Sequence, residues 1–251
     1  KSISKNDKLF YICKLDNETE FQTLEEMLAR SEQLSIVGQI AAGIAHEIRN
    51  PLTSIKGFIQ LLQAGIEQKD VYYNILIDEI NKLEQITSEF LYISKPITHE
   101  KSIESIKEIL EEVFLLLQPQ AKIREVNLLL EKGKDLHIFC NRSQVKQVLI
   151  NLIKNAIEAS DKSDEVIVNF YKEEDNIYIN VIDEGEGISK EFINKIEEPF
   201  FTTKEEGTGL GLMITRNLLA YHNAKLKVIP RDEKGTIFRV IFPGKRKNSS
   251  S

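Results

Sequence analysis

The chain lacks any run approaching the roughly 18 apolar residues that span a bilayer, and it carries no signal peptide. It starts at Lys1 rather than Met. It therefore reads as a cytoplasmic fragment of a longer protein, itself membrane-anchored or provided with a cytoplasmic sensor domain. Cysteine is scarce. Cys13 and Cys140 stand alone without zinc-site spacing, which suits a reducing compartment. A basic stripe with interleaved aromatics is also missing, and the net charge is −6, so general nucleic-acid binding is excluded. No internal repeat is present, and the short Lys245-Arg-Lys247 run reads as a solvated tail.

What is present is long amphipathic helix followed by a mixed α/β text. With 251 residues, 41% hydrophobic and 29% charged, the chain can bury a sizeable core in one large or two ordinary domains. From about Phe21 to Gln63 one helix is predicted, its stripe running through Leu24, Leu28, Leu34, Val37, Ile40, Ile44, Ile48, Leu52, Ile55, Ile59 and Leu62. Pro51 is its one strong breaker and is expected to bend it. A second helix is expected from about Asp70 to Ser94, burying Tyr72, Leu76, Ile80, Leu83, Ile86, Phe90 and Ile93, with Pro96 ending it. A single hairpin covers two apolar stripes poorly. Pairing with a second copy as a four-helix bundle buries both, so a symmetric dimer is expected.

Beyond Pro96 the expected order is a helix Ile103–Ala121, strands Val126–Leu130 and Leu136–Phe139, and a helix Ser143–Ala159. Strands Glu165–Tyr171 and Ile177–Ile182, a helix Leu210–His222, and strands Lys225–Ile229 and Thr236–Phe242 follow. Strands interleaved with helices predict one mixed sheet with helices on one face. Leu9–Leu15 reads as one further strand.

Four stretches carry chemistry. In Ala42-Gly-Ile-Ala-His46-Glu47-Ile-Arg-Asn50-Pro51, His46 lies ~180° around the helix from the apolar stripe, so it is expected to face solvent among small neighbours. Asn151 and Asn155 sit one turn apart on a predicted helix, where their carboxamide oxygens suit Mg²⁺ shared with phosphates and Lys154 offers a charge for phosphate. Asp183-Glu-Gly185-Glu-Gly187-Ile188 follows a strand end, where a carboxylate is placed to accept from an exocyclic amine such as that of adenine. Its glycines allow a tight turn and close approach to a flat ligand. Gly207-Thr208-Gly209-Leu210-Gly211-Leu212 opens a helix whose free amides suit an anion, yet no Gly-Lys-Ser/Thr follows, so it is not a Walker loop. Between the two glycine motifs, Phe200 and Phe201 suggest a lid.

The order His-Glu, Asn-x-x-x-Asn, Asp-x-Gly-x-Gly, Phe-Phe-Thr-Thr-Lys, Gly-x-Gly-x-Gly resembles the catalytic core of a bacterial two-component sensor histidine kinase, closest to its sporulation and nitrogen-regulation branch. The resemblance covers roughly residues 30–243. It implies two domains: an all-α hairpin forming a dimeric four-helix bundle, then an α/β sandwich of the Bergerat ATP-binding type. Residues 1–20 become the remnant of a sensor or linker, 21–95 the dimerisation and phosphotransfer hairpin, 96–245 the ATP domain and 246–251 a tail.

His46 is then implied to be the phosphoacceptor, Glu47 its general base and Asn50 a residue positioning water for a reverse phosphatase reaction. Asn155 is implied as the Mg²⁺ ligand, with Asn151 and Lys154 near the phosphates. The resemblance further implies a nucleotide site of Asp183, Gly185, Gly187, Ile188, Thr203, Lys204, Gly207, Thr208, Gly209, Leu210, Gly211, Leu212 and Thr236, taking ATP and Mg²⁺. Implied partners are a second copy, the receiver domain of a single-domain response regulator docking near Ile55–Leu62, and a small helical inhibitor at the hairpin base. Departures from the pattern are Gln147, Asn141 and His222-Asn-Ala224. Two rival readings are a dimeric interaction module that uses ATP as a conformational switch, and an ATPase resembling a chaperone or mismatch-repair clamp. The latter leaves the His46 stretch unexplained.

Overall fold

The computed structural model describes residues 2–5, 8–11, 18–65, 69–94, 100–131, 133–189, 191–193, 195–196, 201–202, 207–232 and 234–244. Cys13, Pro96, Phe200, Thr203, Lys204 and the tail fall outside them, as do the side chains of Leu24, Leu28, Leu34, Val37, Ile40 and Ile93.

A two-stranded antiparallel ribbon, β1 (Ser2–Lys5) and β2 (Lys8–Tyr11), stands where one strand was expected. Helix α1 (Glu18–Gln63) then runs unbroken through Pro51, which is buried. Losing one backbone donor does not end a helix that is otherwise continuous on both sides. Thr53 Oγ1 donates to Arg49 O at 2.9 Å across the same turn. Helix α2 (Lys69–Ser94) packs back along α1, with Phe58 and Tyr72 rings 5.3 Å apart. Ile44 and Ile86 are buried as their spacing required. Leu52 and Ile80, assigned to buried stripes, are 51% and 53% exposed, and Ile59 is exposed as well. One partner helix covers only one sector of each neighbour, so the rest of a wide apolar stripe stays open.

The second half starts with β3 (Ser102–Ser105), which pairs antiparallel with β5 (His137–Cys140) and places Ile103 opposite Phe139. This corrects the expected helix start at Ile103. Ser105 is the N-cap, accepting from Glu108 N at 3.2 Å, so α3 spans Ile106–Ile123. Following β4 (Asn127–Leu130), helix α4 (Arg142–Ala159) opens on Asn141. Arg142 fastens its first turn to β3 and α3 through Glu104 (2.6 Å) and Glu112 (2.7 Å). Hydrogen bonds from Arg142 and Lys146 hold the Glu112 carboxyl down at about 2.

The remaining elements are β6 (Glu165–Glu173), β7 (Asn176–Ile182), α5 (Gly211–Tyr221), β8 (Lys225–Pro230) and β9 (Thr236–Phe242). Five strands form a mixed sheet in the order β4-β6-β7-β9-β8, parallel only between β4 and β6. The β3–β5 ribbon is separate, so the expected single sheet becomes a sheet and a ribbon. Val166, Val168, Phe170, Ile179, Val181, Phe238 and Val240 alternate inward to meet Leu149, Leu152, Ile153 and Ala156 of α4 in one core. A fully buried leucine such as Leu152 contributes about 1.5–3 kcal/mol. Cys140 is buried there, and burial pushes its thiol up to about 12, which makes it inert.

Helix α5 ends against Lys101, whose Nζ donates to Tyr221 O at 2.8 Å and sits 3.9 Å above the Tyr221 ring. His222, next in the chain, is buried with neither ring nitrogen bonded among the described residues. Burial, and then the Lys101 charge, pull its pKa down to about 4. Because that value lies below the unfolded one, the unfolded state binds more protons as pH falls from 6.5 to 4, and stability is lost across that window. His222→Leu is expected to remove on the order of 2 kcal/mol of this acid sensitivity. Urea midpoints at pH 7.5 and pH 5 check it; an equal acid loss in both proteins refutes it.

Candidate active site

Two helices and two strand ends build the site. Asn141 caps α4 by accepting from Gln144 N at 3.1 Å, while its Nδ2 donates to Glu100 O at 3.0 Å. An aspartate caps equally well but has no such donor, so the departure at Asn141 adds a tie to the preceding segment. About three to four turns further on, Asn151, Lys154 and Asn155 are half-buried on α4. Asn151 Nδ2 donates to Thr215 Oγ1 of α5 at 2.7 Å. A Cβ on Gly211 would stand 2.5 Å from Asn151 Oδ1. The glycine at the start of α5 thus lets the two helices close on Asn151. Lys154 Nζ lies 3.7 Å from Glu158 Oε1.

Asp183 follows β7 and is 2% exposed, its Oδ1 accepting from Gly185 N (3.1 Å) and Thr236 N (3.0 Å). Gly185 also makes room for a protein neighbour. A Cβ there would stand 2.3 Å from Ala159 O, so the turn touches the end of α4. Gly187 has φ +78° and faces Gly235 O, and Ile188 packs on the core. Thr236 is buried on β9.

In the second glycine stretch Gly209 has φ +66°, Thr208 is buried, and Thr208 Oγ1 accepts from Leu210 N at 3.4 Å. Leu210 is fully buried and offers α5 no side-chain cap. First-turn amides of a helix have no intrahelical acceptor, and the dipole at the start of α5 favours an anion there. Phe201 packs on Phe192 with ring centres 5.5 Å apart.

His46 and Asn50 are exposed one turn apart on α1, and Glu47 is half-buried beside them. The structure brings Asn151 together with Gly211 and Asp183 together with Gly185 and Thr236. No hydrogen bond or ion pair among the described residues joins His46, Glu47 or Asn50 to them. Sequence reasoning missed Thr215, Gly235 and Arg231. The Lys-Gly-Thr turn before β9 was a usable hint for Gly235; nothing local marked the other two.

A solvent-facing histidine on a helical hairpin, beside an α/β layer with these two glycine turns, defines a phospho-acceptor module and an ATPase module on one chain. Residues 36–98 match the His Kinase A (phospho-acceptor) domain, and residues 140–246 match the histidine kinase-, DNA gyrase B-, and HSP90-like ATPase family. The chain belongs to the histidine kinases. It is 44% identical to sporulation kinase A of Bacillus subtilis (strain 168) over 229 residues, and 39% identical to sporulation kinase E of the same organism. These alignments take in 90% of this chain but 38% and 31% of those proteins, so the chain spans about a third of their length. The structure of histidine kinase ThkA in complex with response regulator protein TrrA matches with TM-score 0.76 and 34% identity. That match covers 92% of this chain and 68% of ThkA. No helix among the described residues is long and apolar enough to cross a membrane.

Proposed function

We propose that the protein autophosphorylates His46 from ATP and passes the phosphoryl group to an aspartate of a response-regulator receiver domain, in a phosphorelay of the kind that starts sporulation. The observation that carries this is the exposed His46 beside Glu47, on the same chain as an assembled Asp183–Thr236 and Asn151–Thr215–Gly211 site. In the forward step one imidazole nitrogen of His46 attacks the γ-phosphorus, the bond to the β–γ bridging oxygen breaks, and ADP leaves. The Glu47 carboxylate accepts the proton from the other nitrogen. Little covalent chemistry falls to the protein, so positioning and charge neutralisation dominate.

Asp183 is assigned the adenine amine, with Gly185, Gly187, Ile188 and Thr236 shaping its pocket. Gly207 to Leu212, Asn151, Lys154 and the lid residues Thr203 and Lys204 are assigned the phosphates. Mg²⁺ fits the donor set: a single carboxamide at Asn155, with no cluster of three acidic, His or Cys groups among the described residues, suits a cation that keeps waters and phosphate oxygens. Bound there through Asn155, it would neutralise phosphate charge. Asn50, on the His46 face, is assigned the water of the phosphatase reaction.

Exposed Leu52, Ile59 and Ile80 support a homodimeric bundle of residues 21–95 ahead of an ATP domain at 96–245. The open α1 surface at Thr53, Gln60 and Leu61, below His46, supports receiver docking. The hairpin base is assigned to a small helical inhibitor. Labelled ATP is expected to give acid-labile, base-stable phosphate on a protein that sediments as a dimer. The label should then chase onto a receiver domain, and an acid-stable label would refute the reading.

A further inference from the structure

β7 and β9 run antiparallel with Ile182 opposite Ile237, so Asp183 falls opposite Thr236. Asp183 N donates to Thr236 O at 3.0 Å. In a regular ladder such a pair exchanges both bonds, and Thr236 N would return one to the Asp183 carbonyl. Here Thr236 N donates instead to Asp183 Oδ1 at 3.0 Å. The carboxylate has taken the place of its own main-chain carbonyl in the ladder.

The displaced carbonyl belongs to a residue that is almost wholly buried, where an unmet acceptor is costly. Nη1 of Arg231 donates to it at 2.8 Å. Arg231 is itself held in place, since its main-chain N donates to Gly235 O at 3.1 Å. The same turn is pinned by Lys234 Nζ on Asp161 (3.1 Å) and Asp164 (3.2 Å). The guanidinium therefore projects from a fixed turn onto the one carbonyl that the ladder has lost.

We infer that Arg231 is a positioning residue for the nucleotide base: by holding the displaced Asp183 carbonyl it stabilises the rotated peptide that aims the Asp183 carboxylate. This rests on the reading of Asp183 as the acceptor for the adenine amine. Arg231 acts on binding and leaves the phosphoryl step untouched, because among the described residues it contacts the base-binding residue and not the phosphate loop.

The test is calorimetry with ADP and autophosphorylation kinetics with ATP on the full chain. Arg231→Met is expected to raise the Kd for ADP and the KM for ATP together by roughly ten-fold, the equivalent of one lost hydrogen bond from a charged donor. kcat at saturating ATP stays unchanged, and Arg231→Lys, which keeps the charge and one donor, recovers part of the loss. Asp183→Asn in parallel separates the two claims. If Arg231→Met and Arg231→Lys bind ADP normally while Asp183→Asn does not, the inference falls and the adenine site stands. If Asp183→Asn also binds ADP normally, the adenine reading falls with it. A drop in kcat that matches the rise in KM also overturns the inference, since a purely structural role moves both.

Discussion

His46→Gln is expected to abolish labelling from γ-labelled ATP while ATP affinity and thermal stability stay at their normal values. The side chain is exposed on α1 and makes no hydrogen bond or ion pair among the described residues, so its replacement touches no packing. Surface substitutions of this kind usually move stability by about 0.5 kcal/mol or less. A carboxamide fits the same space but has no nucleophilic nitrogen at neutral pH. Among the described residues nothing else on the exposed face replaces it: Asn50, one turn on, is a carboxamide too, and Thr53 is committed to Arg49 O. The loss is therefore of the whole reaction, not of a fraction of its rate. Binding of a fluorescent ATP analogue, read beside the label, separates a missing acceptor from a missing nucleotide. Label that persists at normal affinity would place the acceptor elsewhere and remove the central assignment.

The helical half was legible because its information is periodic and local. Apolar residues three and four apart marked both helices to within a few residues, and the same wheel put His46 on the open side. What the wheel cannot tell is how much of a stripe one neighbour covers. Leu52 and Ile80 lie on the expected faces and are still exposed, since covering them takes a second body. Ile103 departs from expectation for another reason. Its spacing to the apolar residues of α3 fits a helix, but its partner is Phe139 across the β3–β5 ribbon, and a residue so distant in the chain leaves no trace in a window of about eleven.

The glycine motifs show the same division. That glycines were needed in these turns followed from sequence; what they make room for did not. Gly185 clears the carbonyl of Ala159 and Gly211 clears the carboxamide of Asn151, both protein neighbours brought up from α4. Arg231 is 48 positions from the carbonyl it holds, and Thr215 is 64 from Asn151. Such pairs exist only once the sheet and helices have assembled. The motif residues are thus local markers of a site whose supports are distant in the chain.

Gly235→Ala is expected to be the costliest single methyl that the nucleotide site can receive. The residue has φ +99°, where an alanine is strained by about 1–2 kcal/mol before any contact is counted. Its Cβ would then stand 1.9 Å from Asp183 O, 2.8 Å from Asp183 C and 3.0 Å from Glu184 Cα. All three are main-chain atoms, so no side chain can rotate away, and either the turn or the Asp-x-Gly-x-Gly segment must move. Movement of the turn carries Arg231 off the Asp183 carbonyl, and movement of the segment carries the carboxylate off Thr236 N. Either way the adenine acceptor loses its orientation. A loss on the order of 3–4 kcal/mol of stability is expected, above the usual range for one substitution, together with nucleotide affinity too weak to measure by calorimetry. Gly38→Ala supplies the contrast, because that glycine lies in α1 and a methyl there would meet nothing within 4 Å. There the methyl restores helix propensity and should stabilise by about 0.5–1 kcal/mol. If urea unfolding and ADP binding show the two variants alike, contact at the Asp183 carbonyl does not govern the site; a large loss confined to Gly235→Ala shows that the backbone crossing between the two strand ends holds the nucleotide pocket in shape.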